Sequence, residues 1–285
     1  VESDKPQSIN LKVRNVIHHA AWIPGRAPRI SFSTVEPRET APGWQANNDL
    51  YILPLTDIGA PLEPKNLVET NSGGIYGWWG TEYTWSPDGD QLWFSRPDGI
   101  GLVDLESGEL APVITIQPYD TKAQWAWVPP TAWDPSSDRL YYIAPQTEPE
   151  TSLSRFDFQT LLISGNISIK LAEQTGMFAY PMVSGASDSG KYSIAYLQAA
   201  TPDQSETSSY QVWIMDRDGS NRRRLFPAEG GGIEPQRVAW GPQNSQTFNQ
   251  WIALLHNGNL VLVDTTDGKT IQVTGDGSIG RIDWK

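Results

Sequence analysis

The sequence predicts an all-β fold, a β-propeller of four-stranded antiparallel blades, and three observations carry that prediction. A strand–turn–strand unit recurs along the 285 residues, two further strand-like runs follow each copy, and no helical stretch separates them. The clearest copy is Tyr83-Thr84-Trp85-Ser86-Pro87-Asp88-Gly89-Asp90-Gln91-Leu92-Trp93-Phe94-Ser95. Anchored on Trp85, the same position is held by Trp22, Trp133, Ala186, Trp240 and Trp284, at spacings of 44–63 residues. Such spacings are within or near the range of a propeller or solenoid unit.

Each anchor is followed by a turn signal: Ile23-Pro24-Gly25, Ser86-Pro87-Asp88-Gly89, Asp134-Pro135-Ser136-Ser137, Ser187-Asp188-Ser189-Gly190 and Gly241-Pro242. Proline presets the turn backbone and glycine supplies a positive φ, so these are hairpin turns. The second strands follow at Arg29–Ser33, Gln91–Ser95, Arg139–Ile143, Tyr192–Tyr196 and Gln250–Leu254, with period-two alternation or short apolar runs. Third strands are read at Leu50–Leu53, Gly101–Leu105, Leu153–Asp157, Val212–Asp216 and Leu260–Asp264, and short fourth strands close each repeat. Insertions at Glu36–Asn48, Pro145–Thr151 and Gln198–Ser209 read as surface loops.

The two ends decide the blade count. Ile9-Asn10-Leu11-Lys12-Val13 reads as a fourth strand and Asp283-Trp284-Lys285 as a first one. Six blades are expected, five complete repeats plus a partial blade from the two termini, because joining the ends hides sheet edges. Five blades are the alternative. No linker or composition shift divides the chain, so residues 1–285 are expected to form a single domain.

Composition narrows the function. The formal charge is −12, which argues against nucleic acid or an anionic membrane surface as partner. No apolar run approaches a membrane span, so the chain is not expected to cross a bilayer. Cysteine is absent, which removes disulfides and thiolate chemistry together. The chain begins at Val1 rather than Met, as a processed or trimmed piece would.

Trp-Ser-Pro-Asp-Gly at 85–89, Leu92-x-Phe94-Ser95 and the strand ending Val103-Asp104-Leu105-x-x-Gly108 resemble the TolB-like repeat, a relative of the WD-repeat. The resemblance covers nearly the whole chain; the second repeat matches closely and the first departs most. It implies a propeller and an extracytoplasmic location: periplasmic, cell-surface or secreted. Known members include periplasmic binding partners of lipoproteins and accessory domains of peptidases. The shared motif is structural, so the resemblance transfers no functional residues.

Candidate ligand-binding residues come from the segments that lead into the first strands, which in a propeller lie near the central channel. They are His19, Tyr76, Trp78, Trp79, Glu82, Trp125, Trp127, Tyr180, Glu234, Arg237 and Arg281. Aromatic faces beside a few charges suit a protein, peptide or glycan partner. His18-His19 makes a poor metal pair, since adjacent strand residues point to opposite faces, and the Asp216 and Asp264 turns lack a downstream calcium-binding Glu. No Gly-x-Ser-x-Gly stretch appears, and three histidines leave little choice of general base. The expectation is a monomeric, non-catalytic binding platform without metal or cofactor. A polysaccharide-acting propeller hydrolase or lyase is the alternative, with Glu82 and Glu234 as the carboxylates to inspect. An architectural domain of a larger surface protein is a third reading.

Overall fold

The computed structural model describes residues 16–25, 27–71, 80–121, 123, 125–146, 155–242 and 250–282. Over these residues the chain forms five antiparallel sheets, each drawn from one contiguous stretch of sequence. Two sheets belong to a first compact unit, Val1–Val128, and three to a second, Pro129–Lys285. Among the described residues no helix is long and apolar enough to cross a membrane.

In the first unit, blade one contains β1 (Val16–Trp22), β2 (Arg29–Pro37), β3 (Trp44–Ala46), β4 (Leu50–Pro54) and β5 (Lys65–Val68). The path runs β1-β2-β4-β5, with β3 folded back onto the end of β2 so that Val35 faces Ala46 and Pro37 faces Trp44. The Glu36–Asn48 insertion is therefore a hairpin extension, where the sequence suggests a loop. Gly43, at a positive φ of 91°, closes it by accepting from the Arg38 amide at 2.9 Å. Blade two is β6 (Glu82–Trp85), β7 (Leu92–Arg96), β8 (Gly99–Val103) and β9 (Leu110–Thr115), in that order.

The second unit opens with blade three: β10 (Thr131–Trp133), β11 (Arg139–Pro145), β12 (Phe156–Leu162) and β13 (Ile167–Ala172). Blade four is β14 (Met182–Val183), β15 (Ser193–Ala199), β16 (Tyr210–Asp216) and β17 (Arg223–Phe226). Blade five is β18 (Ala239–Trp240), β19 (Trp251–His256), β20 (Asn259–Asp264) and β21 (Thr270–Gln272). Each runs in sequence order. Strand positions differ from the sequence reading at several places, and β8 spans Gly99–Val103 where the sequence suggests Gly101–Leu105. β12 runs on to Leu162, past the Asp157 end that the sequence suggests, while Leu153 and Ser154 lie outside the described residues. Ala186 lies beyond β14, in the turn that Ser184 and Ser187 close onto Ser193 and Lys191.

The middle strands form the core. Leu92, Trp93 and Phe94 on β7, Leu140 to Ile143 on β11, and Ile194 to Leu197 on β15 are all buried. Outer strands are exposed, as Ile167, Ile169 and Ile271 show. From blade one to blade four, the third strand carries a register shift against the fourth, at Leu50/Tyr51, Ile100/Gly101, Phe158/Gln159 and Val212/Trp213. Such bulges sharpen the local twist.

Neighbouring blades are joined by the repeat's own motif residues. The Trp85 indole N–H donates to Ser31 Oγ at 3.0 Å, and the Trp240 indole to the Met182 carbonyl at 2.9 Å. Gly89 sits so close to blade one that an added Cβ would lie 2.1 Å from the Pro24 carbonyl oxygen. Trp22 departs from the expected inter-blade packing. It is 63% exposed, on a strand that is exposed along nearly all its length. The stretches assigned to a sixth blade, Ile9–Val13 and Asp283–Lys285, lie outside the described residues.

Candidate functional site

The segments leading into the first strands supply the candidate residues, and the second unit brings several of them together. Tyr180 precedes Pro181 and β14 with a φ of 36°, a left-handed conformation that a bulky side chain seldom adopts. The Arg237 guanidinium, from the segment that leads into β18, lies over the Tyr180 ring at 5.1 Å. The contact therefore spans blades four and five. Phe178 completes the group, its ring 6.2 Å from that of Tyr180 and 6.1 Å, edge-on, from that of Tyr210.

Buried polar groups hold this arrangement in place. The Tyr210 hydroxyl donates to the Ser205 carbonyl at 2.7 Å and accepts from the Phe178 amide at 3.3 Å. It thereby ties the 198–209 insertion to the aromatic segment. Burial pushes the Tyr210 phenol well above its ordinary pKa, so it stays protonated and keeps its role as a donor. Arg155 adds a second tie to the same insertion through Asp203, at 2.6 Å.

On the blade-five side, the Gln236 amide behaves like one more strand residue. Its Oε1 accepts from the Leu255 amide at 2.7 Å, and its Nε2 donates to the Leu255 carbonyl at 2.8 Å. This fixes Glu234 and Arg237, both exposed, on either side of an anchored residue. Beside them opens a cavity of about 380 Å³, walled by Ser209, Glu234, Gln236, His256, Asn257 and Ile279 among others. Two second-to-third-strand connections and two segments that lead into or toward first strands thus meet at one end of blades four and five.

The remaining candidates stand on other segments of the chain. His19 is exposed on β1, and Glu82 is exposed at the start of β6. Trp125 is half-buried, with its carbonyl accepting from Thr121 Oγ1 at 2.6 Å. Trp127 is 2% exposed, so its ring is interior and presents no face to solvent. Arg281 is exposed two residues beyond Ile279 of the cavity wall. Tyr76, Trp78 and Trp79 lie outside the described residues. Sequence reasoning did not mark Gln236 or Asn257 as site residues. The signal for the second was present, since Asn257-Gly258 is a hairpin dipeptide, but nothing local announces a glutamine that pairs with a strand.

A buried polar network shapes the first unit in a different way. Asp49, fully buried, accepts from the Thr34 amide at 2.8 Å and the Thr34 hydroxyl at 2.6 Å, while Asn47 Nδ2 donates to the same hydroxyl at 2.7 Å. Burial raises the Asp49 pKa, and the two Thr34 bonds oppose that rise. Asn48 receives the Thr81 amide at 2.7 Å, which fastens the start of blade two to blade one.

Comparison with solved structures identifies the architecture. A TolB from Agrobacterium tumefaciens superposes with a TM-score of 0.52 at 15% identity, covering 92% of this chain and 82% of its own. This chain has the TolB-like propeller fold. The described blades of this propeller agree with a count of five or six. A prolyl endopeptidase gives a TM-score of 0.54 at 15% identity, over 93% of this propeller and 37% of the peptidase chain. A GH74 xyloglucanase from Xanthomonas campestris gives 0.50 at 16% identity, over 87% and 37%. The propeller thus spans little more than a third of either enzyme chain, and at these identities the likeness is one of fold. No family model matches the sequence, and no curated protein matches it significantly.

Proposed function

We propose that this propeller is a non-catalytic binding module that receives a protein or peptide segment at the end of blades four and five where Tyr180, Arg237 and Glu234 gather. The Arg237–Tyr180 contact carries the reading. An arginine stacked on a tyrosine at the surface is a pair enriched where proteins bind partners, because both bury large area with few rotamers left to freeze. The strained Tyr180 backbone supports it, since strain of this kind tends to persist at ligand-binding sites. The adjoining cavity offers a pocket for one side chain of the partner, with Glu234 and the Asn257-Gly258 turn in its wall. An extracytoplasmic setting is part of the proposal and rests on the TolB-like repeat alone.

The test is selection of a displayed random peptide library on the immobilised chain, with a glycan array run in parallel. Selected peptides are then measured by fluorescence anisotropy against Tyr180→Ala and Arg237→Ala. Each substitution is expected to weaken binding by about tenfold or more, as for residues central to an interface. Thermal midpoints should remain within a few degrees of the parent chain. Peptides that bind both variants as tightly as the parent would reject this site, and glycans retained in place of peptides would reject the partner class.

A further inference from the structure

The opposite end of blades four and five holds a second, larger cavity, of about 590 Å³, that the binding reading does not use. Its walls come from the first-to-second-strand turn of blade four (Ser189, Lys191), the third-to-fourth-strand turn of the same blade (Asp216, Arg217, Asp218), Arg223 on β17, and Thr265 of blade five. These turns recur in every repeat, but here they bring three cations to one hollow.

We infer that this cavity is a site for an oxyanion, the phosphate or carboxylate group of a small ligand. The charge balance points that way. Lys191, Arg217 and Arg223 against Asp216 and Asp218 leave one net positive charge on the wall, in a chain whose formal charge is −12. The two carboxylates already have partners. Asp218 accepts from the Ser220 amide at 3.0 Å and its hydroxyl at 2.6 Å, and those bonds hold its pKa below the ordinary range. Asp216 accepts from Asn221 Nδ2 at 2.7 Å.

The cations are differently placed. Among the described residues, none of the three stands in a salt bridge. Arg223 donates through Nη2 to the Thr265 carbonyl, and both residues line the hollow. A guanidinium has five donors in a planar fork, so one carbonyl contact leaves others for the paired oxygens of a phosphate or carboxylate. Lys191 and Arg217 are both exposed. They reach the cavity from two separate turns, so an anion there would meet cations supplied by both. Ile214 and Tyr192, both buried, form an apolar floor that limits competition from water.

The experiment is isothermal titration calorimetry of the full chain with inorganic phosphate and, separately, with citrate. Sodium chloride at matched ionic strength is the reference. Saturable binding of phosphate assigns a phosphoryl ligand, and binding of citrate alone assigns a carboxylate one. Arg217→Gln, in an exposed turn, should weaken the favoured anion about tenfold, as loss of one charge-assisted contact does. Asp218→Asn should tighten it, because one repelling charge leaves the wall. Lys65→Gln, in the first unit, should change nothing. Heat no greater than the chloride reference for both anions overturns the inference, as does equal binding by the parent, Arg217→Gln and Asp218→Asn chains.

Discussion

The Trp85 indole N–H, on the first strand of blade two, donates to the hydroxyl of Ser31 on the second strand of blade one, across 3.0 Å. One bond therefore joins the residue that marks the repeat to the body of the preceding repeat. Trp85→Phe keeps most of the apolar area but removes the donor, and should cost about 1 kcal/mol. Ser31→Ala should cost a similar amount. The double variant should cost less than the sum of the two, as read from urea unfolding, and strict additivity would show that the bond contributes nothing.

Gly59 and Gly108 separate backbone conformation from space. Both have positive φ, 79° and 76°. A Cβ on Gly59 would meet nothing within 4 Å, whereas one on Gly108 would lie 1.8 Å from the Leu67 carbonyl oxygen on β5 of the neighbouring blade. Gly59→Ala should cost about 1 kcal/mol for conformation alone. Gly108→Ala should cost about 3 kcal/mol or more, because the blades must also part. Equal losses in thermal midpoint would refute the inter-blade role of Gly108.

Asp49 makes stability depend on pH with a defined sign. Its folded pKa is raised, first by burial and against the pull of the Thr34 bonds. The native state therefore holds this proton more firmly than the unfolded chain does. The resulting stabilisation is complete below the usual carboxylate range and is lost as pH rises through the raised folded value. The penalty of Asp49→Asn should accordingly be larger in acid and shrink toward neutrality, measured by urea unfolding at several pH values. A penalty that grows with pH would reverse the assignment. Asp49→Ala strips the acceptor from the buried Thr34 amide and hydroxyl, and should cost about 2–4 kcal/mol.

Tyr141 and Tyr192 link blades three and four, with their hydroxyl oxygens 2.7 Å apart. Tyr141→Phe leaves the Tyr192 hydroxyl with its long, 3.5 Å approach to Asp134 Oδ2. The expected loss is about 1 kcal/mol. Tyr192→Phe should match it, and hydrogen exchange should report the loosening in β11 and β15 before blade five.

Much of the fold was legible because each blade writes its signal locally. Ser86-Pro87-Asp88-Gly89 closes a hairpin through contacts inside the turn, with the Gly89 amide donating to the Ser86 carbonyl at 2.9 Å. Reading failed where the local signal was muted. Phe156–Leu162 buries polar residues at Asp157 and Thr160, so polarity does not mark an outward face, and Trp44–Ala46 pairs with a strand that the sequence ends too early. The site was legible in part. Tyr180, Glu234 and Arg237 stood out as residues just before first strands, while Gln236 and His256 gained meaning only from what faces them.

The sequence by itself determined the repeat, the turns and the identity of the blade-joining indole at Trp85 and Trp240, because period, proline and glycine act over a few residues. Only the tertiary structure decided that Trp22 stands exposed while Trp127 is interior, and that Arg237 covers Tyr180. It also decided that Lys191, Arg217 and Arg223 share one hollow. Those outcomes depend on how residues far apart in the chain are brought side by side, and no pattern within a single repeat encodes that distance.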